Sequence, residues 1–517
     1  MRRTEMIRTM NDVREWDVCI IGGGATGLGA AVDAASRGLK TILFEKYDFA
    51  KGTSSRSTKL VHGGVRYLEQ WNIKLVLESL HERGLMFKNA PHLVKNQAFI
   101  IPNYEWWEHS YYGIGLKAYD WMAGRLGLGP SEFLSIEETL IAIPTLDPEG
   151  LRGGIRYHDG QFDDARMAIH LAMTAVDHGA TVLNYFPVES FIKTGDIIKG
   201  VEVRDDLAEI RYEIKAKSVI NATGVFSDEI RKLDDVQAEE QLSPSQGIHV
   251  VLDKEFLPTD SAILIPRTED GRVLFAVPWH DKIIVGTTDT PVKEVSIEPK
   301  ALDAEIKFVL DEFRDYLTKT PGVEDIRSMF CGLRPLVKGS SKSTAGLSRD
   351  HLITLSDAGL ISIVGGKWTT YRRMAEDVVN VAIKQGKLSW LKSSTDSLPI
   401  HGYKKDPDPE SAMIYYGSDK EKVLAICNEH PEWNKQIHQG FPYLIGEIIW
   451  SVREEMCLHV EDFLARRIRM LFLDAKAAVE SAPIVAKIIA MEMDKDDNWI
   501  LEEISTFTSL ALQYLPK

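Results

Sequence analysis

Two stretches of the chain concentrate side chains able to do chemistry. The first is Thr53-Ser-Ser-Arg-Ser-Thr-Lys-Leu-Val-His-Gly-Gly-Val-Arg-Tyr67. Hydroxyls, glycines and basic residues at this density suit a loop that lies along a large polar cofactor. A merely solvated loop has no need of Gly63-Gly64 followed at once by Val65 and Tyr67. The second stretch, Gly365-Gly366-Lys367-Trp368-Thr369-Thr370, sets an amine directly after a glycine turn.

The elements that must position these groups begin at Asp17. The run Asp17-Val-Cys-Ile-Ile-Gly22-Gly23-Gly24-Ala-Thr-Gly27 reads as strand, phosphate loop and helix. Gly22 allows a tight exit from the strand, Gly24 lets a pyrophosphate approach the backbone, and Gly27 lets the helix pack on the sheet. The pyrophosphate would sit on the helix N-terminus, where free N–H groups meet its charge. Thr41-Ile-Leu-Phe44 forms the next strand and delivers Glu45 to the ribose hydroxyls of an adenosine. A carboxylate there argues against a 2′-phosphate, which leaves NAD and FAD. Ser218-Val-Ile-Asn-Ala-Thr-Gly224 repeats the logic of a strand ending in a glycine, so a second strand end converges on the same ligand. Leu360 to Gly366 resumes the parallel layer.

These segments divide the chain. Residues 16–90, 150–235 and 345–394 are expected to form a discontinuous Rossmann-type, dinucleotide-binding α/β domain. Residues 91–149 and 236–344, rich in β-branched residues and turn signals, are expected to form an antiparallel-sheet substrate or cap domain. Residues 395–517, where apolar positions recur at helical spacing among many charges, are expected to form a helical C-terminal domain. Within it, Arg466, Arg467 and Arg469 suit either a solvated helical face or an anion site, the solvated face being preferred.

Composition excludes several classes. A chain of 517 residues is too long for one ordinary core and suggests about three domains. Its formal net charge of −15 disfavours a nucleic-acid partner. The basic N-terminus has no apolar core of a signal peptide, and no window approaches the roughly 18 apolar residues of a membrane span. Cys19, Cys331, Cys427 and Cys457 form no CxxC pair, which argues against a metal site and for a reducing, cytoplasmic location. The stretch Asn103 to Pro130 is unusual: Tyr104, Trp106, Trp107, Tyr111, Tyr112, Tyr119 and Trp121 alternate with glycines. It reads as a plug between domains or as a patch facing a membrane or a quinone, with the plug preferred.

Several motifs together resemble the FAD-dependent glycerol-3-phosphate dehydrogenases, flavoproteins of the D-amino-acid-oxidase type. They are the opening glycine fingerprint, Ser57-Thr-Lys-Leu-Val-His-Gly-Gly-Val-Arg-Tyr-Leu68, Asn221-Ala-Thr-Gly, Gly286-Thr-Thr-Asp289, Gly332-Leu-Arg-Pro-Leu336, Ser348-Arg-Asp350 and Gly365 to Tyr371. Their order matches from about Asp17 to Tyr371, and a helical tail also belongs to the family. The resemblance implies FAD as cofactor, held by Gly22, Gly24, Gly27, Glu45, Lys46, Ser54, Ser55, Thr58, Lys59, His62, Gly63, Gly224, Gly366, Lys367 and Thr369. It assigns substrate contacts to Arg66, Tyr67, His249, Arg334, Arg349 and Lys367. Arg334 and Arg349 would clasp a phosphate dianion, whose oxygens match planar guanidinium forks. His249 would take the C2 hydroxyl proton, with His62 the competing base, and Lys367 would steady the reduced flavin or orient the substrate oxygen. Arg334, His249 and Lys367 thus form the catalytic set. The implied reaction turns sn-glycerol 3-phosphate into dihydroxyacetone phosphate with hydride passing to flavin N5. Electrons would leave to quinone from a peripheral position on the inner face of the cell membrane. The alternatives are an oxygen-using glycerol-3-phosphate oxidase and a flavin oxidase of a 2-hydroxy or amino acid. A homodimer is compatible with the family.

Overall fold

The apolar run Trp16–Ile21 becomes a buried strand at the centre of a parallel layer in the computed structural model, which describes residues 1–64, 72–269, 271–338 and 351–517. Its side chains are almost all buried, as expected of a strand covered on both faces. Thr41–Phe44 lies parallel on one side of it and Ile210–Asn221 on the other, with Ile21 level with both Phe44 and Asn221. Thr181–Leu183 and Leu360–Gly365 extend the layer in parallel, and His351–Leu355 closes one edge antiparallel. The parallel strands therefore end together, and Gly22, Glu45 and Ala222 emerge at one rim. That rim is where open α/β sheets bind ligands.

Helices Ala25–Ser36 and Tyr371–Gln385 pack side by side, and Asp164–Asp177 packs on Ala25–Ser36. Their contact faces are built from small residues. A Cβ on Gly29 would lie 2.8 Å from the Tyr371 ring, so glycine there sets how closely the first two helices approach.

The second layer is a larger sheet, antiparallel apart from one parallel pairing, in the spatial order Thr290–Pro291, Ser245–Asp253, Lys282–Gly286, Leu274–Trp279, Ala262–Ile265, Val94–Asn103, Gly153–Phe162 and Leu60–Val61. Ser328–Arg334 pairs with Ser245–Asp253 as well. Gly153–Phe162 pairs residue for residue with Val94–Asn103, and Leu60–Val61 pairs with its far end. The domain boundary expected at residue 150 therefore shifts. Residues 153–162 belong to the second sheet, because their apolar alternation is completed by the partner strand and not by the parallel layer.

The aromatic stretch forms the helix Glu108–Ala123. One face is the expected plug, with Leu116 and Tyr119 buried, and Tyr119 donating to Asp159 at 2.8 Å. The other face leaves Trp121 83% and Ile114 73% exposed, and Trp106 just before the helix is 77% exposed. The helix is thus packed on one face and exposed on the other.

Beyond residue 395 the chain is helical, with Ile445–Glu455, Ala475–Met493 and Asp497–Ala511 as its main elements. Asp474 caps Ala475–Met493 by accepting from the Ala477 N–H at 3.0 Å. One apolar cluster runs from Ile20, Leu28 and Val182 in the parallel layer through to Phe463, Leu471 and Val485, so this region shares its core with the cofactor layer. Arg466, Arg467 and Arg469 correct the reading from sequence. They are 2%, 0% and 1% exposed and ion-paired with Asp48, Asp462 and Asp164, so neither a solvated face nor an open anion site describes them.

Candidate active site

At the rim where the parallel strands end, a cavity of about 730 Å³ runs between the two sheets, lined at one end by Phe186, Val188 and Ile230 and at the other by His249, Phe275 and Arg334. Its volume is that of a ligand site for a sizeable molecule. Gly22, Gly24, Ala25 and Thr26 line its middle, so the N-terminus of Ala25–Ser36 opens into it. Gly22 sits at φ +110°, and a Cβ there would lie 2.7 Å from the Ala222 carbonyl oxygen. A Cβ on Gly27 would lie only 1.9 Å from the Gly22 carbonyl oxygen. The turn thus closes onto both its own helix and the neighbouring strand end, and it can do so only as glycine. Glu45 accepts from the Gly23 N–H at 2.6 Å and from the Tyr47 N–H at 2.9 Å. Burial raises its carboxyl above the ordinary range, and these two backbone donors oppose the rise.

The loop after Glu45 forms the next wall. Lys46, Tyr47, Ala50 to Ser54, Arg56, Ser57, Thr58 and His62 line the cavity. The Ser54 hydroxyl accepts from the Ala25 N–H at 2.9 Å, and the Ser54 carbonyl accepts from the Trp368 indole at 2.8 Å. Ser54 therefore ties the loop to the glycine turn through its side chain and to the turn at Gly365–Gly366 through its backbone. Both of those glycines have positive φ and present Lys367, Trp368 and Thr369 to the cavity.

His249 lies in the strand Ser245–Asp253, opposite Phe330 across one strand pairing and Gly286 across the other. Its ring stacks on Phe330 with centroids 4.8 Å apart and planes 17° apart. A Cβ on Gly286 would lie 2.5 Å from the imidazole Cδ2, so the missing side chain makes room for the ring. Nε2 is 2.9 Å from the Thr58 hydroxyl, while Nδ1 is buried with no hydrogen-bond partner among the described residues. Burial first, and then the charges of Lys59 and Arg334, push this imidazole well below its ordinary range, so it is neutral at pH 7.

Arg334 ends the strand Ser328–Arg334 opposite Ser245. Its guanidinium donates to Asp289 at 3.2 Å, to the Thr287 hydroxyl at 3.2 Å and to the Thr288 carbonyl at 2.9 Å. Asp289 in turn accepts from the Ser245 hydroxyl. The turn Gly286–Asp289 therefore aims the guanidinium at the cavity, and its carboxylate was not singled out as a site residue from sequence because only the fold brings it to Arg334.

The cavity gathers Gly22, Gly24, Glu45, Lys46, Ser54, Thr58, His62, Gly224, His249, Arg334, Gly366, Lys367 and Thr369. Gly27 stands just behind the glycine turn, where it was expected to pack. Ser55, Lys59 and Gly63, expected to contact the cofactor, are not among the residues lining the cavity. The ammonium of fully buried Lys59 pairs with Asp164 and donates to the Ser55 carbonyl, both at 2.7 Å, so both residues brace the loop from behind. Gly63 packs against Tyr119 and Leu80, where a Cβ would lie 2.3 Å and 2.4 Å from their side chains. Arg66, Tyr67 and Arg349 lie outside the described residues.

Comparison with known proteins follows this geometry. Residues 17–372 match the family described as FAD dependent oxidoreductase, and residues 361–499 match the C-terminal domain of alpha-glycerophosphate oxidase. The mitochondrial glycerol-3-phosphate dehydrogenase of Homo sapiens is 39% identical over an alignment spanning 98% of this chain and 74% of that protein. The mitochondrial enzyme of Schizosaccharomyces pombe is likewise 39% identical, over 96% of this chain and 87% of that protein. Among solved structures, the glycerol-3-phosphate dehydrogenase of Bacillus halodurans complexed with FAD superposes with a TM-score of 0.82 at 29% identity, covering 99% of this chain and 98% of that one. The L-alpha-glycerophosphate oxidase of Mycoplasma pneumoniae, at 18% identity and a TM-score of 0.56 over 74% of this chain and 97% of that one, shares the fold. The cofactor is FAD, and the glycine turn, the Glu45 carboxylate and the long cavity all fit it.

Proposed function

Since this chain belongs to the FAD-dependent glycerol-3-phosphate dehydrogenase family, we propose that it oxidises sn-glycerol 3-phosphate to dihydroxyacetone phosphate and delivers the electrons to quinone. The observation that supports the substrate reading is that His249, Arg334 and Lys367 line the same cavity as the glycine turn. A neutral, buried imidazole is a proton acceptor, a buttressed guanidinium fork suits a phosphate oxygen pair, and an amine suits a developing negative charge.

FAD held along Gly22, Gly24, Glu45, Ser54 and Gly366 would supply a two-electron acceptor for the hydride of substrate C2, at N5 in this reading. Arg334, aimed by Asp289 and Thr287, binds the phosphate and so fixes the position of the substrate. Arg349, Arg66 and Tyr67 complete the substrate contacts in this reading. His249 accepts the C2 hydroxyl proton as the hydride leaves. The low proton affinity of the free site rises when a dianion offsets the fields of Lys59 and Arg334, so the base strengthens once substrate is bound. Lys367 stabilises the charge left on the substrate oxygen and the reduced ring. Thr58 holds the imidazole at Nε2 until substrate arrives.

Quinone is supported by relatives named as dehydrogenases at 39% identity, whereas the oxidase neighbour is similar in fold alone. Among the described residues no helix is long and apolar enough to cross a membrane. The exposed Trp106, Ile114 and Trp121 supply instead an aromatic face for peripheral contact, with the inner leaflet of the cell membrane as its surface. Steady-state turnover with a short-chain quinone analogue, compared with air-saturated buffer lacking it, tests the acceptor. Quinone-dependent turnover well above the oxygen rate is expected, and equal or faster turnover with oxygen would make the protein an oxidase.

A further inference from the structure

The three buried arginines of the C-terminal region do not serve the reaction just described, and they converge on one loop. Arg467 forms a bidentate pair with Asp48 at 2.7 and 2.9 Å, and Arg466 adds a third bond to the same carboxylate at 2.6 Å. Asn184 donates to Asp48 as well, at 3.1 Å. Arg466 also reaches Glu461 at 2.7 Å, and Glu461 accepts from Lys51 at 2.7 Å. Arg469 donates to the Ser55 carbonyl at 2.7 Å. Asp48, Lys51 and Ser55 are thus gripped in succession along the loop whose other atoms, at Tyr47, Ala50, Gly52 and Ser54, line the cofactor cavity. That loop carries the hydroxyl that caps the Ala25 N–H at the helix N-terminus.

Burying guanidiniums against carboxylates is a poor way to gain stability, because the desolvation cost rivals the attraction, and apolar residues of similar size would hold two domains together as well or better. What such pairs supply is geometry: a planar fork on a carboxylate admits one register, whereas apolar contacts slide. The grip is placed where one register matters. Residues 47–55 have little regular structure of their own, Ala50 sits at φ +61°, and the cavity wall they form spans from the glycine turn to Arg56.

We infer that the helical C-terminal domain backs the wall of the FAD site from outside, with Arg466, Arg467 and Arg469 as positioning residues that hold the loop 47–55 in its cofactor-retaining shape. The domain governs how long FAD stays bound, independently of any substrate. Loosening the grip speeds FAD release more than it lowers the resistance of the chain to unfolding, because the loop is the element freed first.

The test uses full-length holoenzyme variants and follows FAD release after dilution by the rise in flavin fluorescence, with thermal unfolding in saturating FAD measured in parallel. Glu461→Gln is the mild perturbation, since Glu461 lies at the edge of the network with its side chain 18% exposed and links Arg466 to Lys51. It should release FAD about tenfold faster, the scale of one weakened charge-assisted bond. Asp48→Asn should release it faster still. Arg453→Gln, which breaks the Arg453–Glu492 pair inside the C-terminal domain, should lower the unfolding temperature and leave release unchanged. Unchanged release in Glu461→Gln, or equal acceleration in Arg453→Gln, overturns the inference, and a failure of Asp48→Asn to fold leaves Glu461→Gln as the deciding variant. Release is read without substrate, so either outcome stands apart from the reaction proposed above.

Discussion

Replacing His249 by Asn removes the titrating nitrogen and little else. Asn retains a polar group able to meet the Thr58 hydroxyl, now 2.9 Å from Nε2, and leaves Arg334 and its supports in place. The substitution forfeits the ring stacked on Phe330 at 4.8 Å, which should cost about 1 kcal/mol of stability, too little to unfold a domain of this size. The effect on chemistry should be larger. A positioned general base contributes about 10²- to 10⁴-fold, which is roughly 2.7 to 5.5 kcal/mol of barrier. Stopped-flow reduction of the bound flavin by saturating glycerol 3-phosphate under anaerobic conditions isolates that step. The limiting rate should fall at least about a hundredfold while FAD content stays that of the parent. The pH profile adds a second check. Burial, Lys59 and Arg334 hold the imidazole well below its ordinary value, so the acid limb of kcat/KM in the parent should lie below about pH 6.5. A limiting reduction rate within about threefold of the parent would refute the assignment and move the base to His62.

Arg334→Lys keeps the charge but loses the fork, so KM for glycerol 3-phosphate should rise about tenfold or more with a smaller fall in kcat; an unchanged KM in steady-state assays would remove Arg334 from the phosphate site. In urea titrations the histidines should give fold stability two pH-dependent contributions of opposite sign. On the acid side, burial holds His92 at about 4 and His170 below its ordinary range, so the unfolded chain binds the extra protons and stability falls by about 1.4 kcal/mol per pH unit per group as pH drops below 6.5. On the alkaline side, Asp177 and Asp419 overcome burial and raise His401 to about 9; its contribution is fully present below 6.5 and is lost as pH rises to 9, so His401→Gln should flatten that flank alone. Trp106→Ala with Trp121→Ala should lower sedimentation with liposomes more than tenfold while leaving turnover of a soluble quinone analogue intact, and undiminished sedimentation would exclude this face from the membrane contact.

The parts of the fold legible in the sequence were those whose signal is local. The glycine turn at Gly22 to Gly27, the strand end at Asn221 to Gly224 and the turn at Gly365–Gly366 each announce themselves within a few residues, because a backbone that must turn sharply or approach a neighbour closely has few sequences open to it. Lys59 and Ser55 were legible as part of a dense loop but not by direction: the loop's order of hydroxyls and amines does not say which side chains face the cavity and which face Asp164, 105 residues further on. The arginines at 466, 467 and 469 were the furthest from reach. Their charge pattern is that of a solvated helix, and partners distant in sequence make their burial tolerable: Asp48, 418 and 419 residues away, for Arg466 and Arg467, and Asp164 for Arg469. In the aromatic helix Glu108–Ala123 the sequence did not say which rings are buried and which exposed, because that depends on what the helix packs against.

In the proposed reaction the cavity between the two sheets is where electrons pass from glycerol 3-phosphate to bound FAD. Mixing oxidised holoenzyme with glycerol 3-phosphate in the absence of oxygen, and following the flavin absorbance near 450 nm (about the usual flavin maximum), tests it without any acceptor or membrane. Full bleaching is expected with glycerol 3-phosphate and none with glycerol or a 2-hydroxy acid at the same concentration. A flavin that stays oxidised with glycerol 3-phosphate, or that bleaches equally with a 2-hydroxy acid, would contradict it.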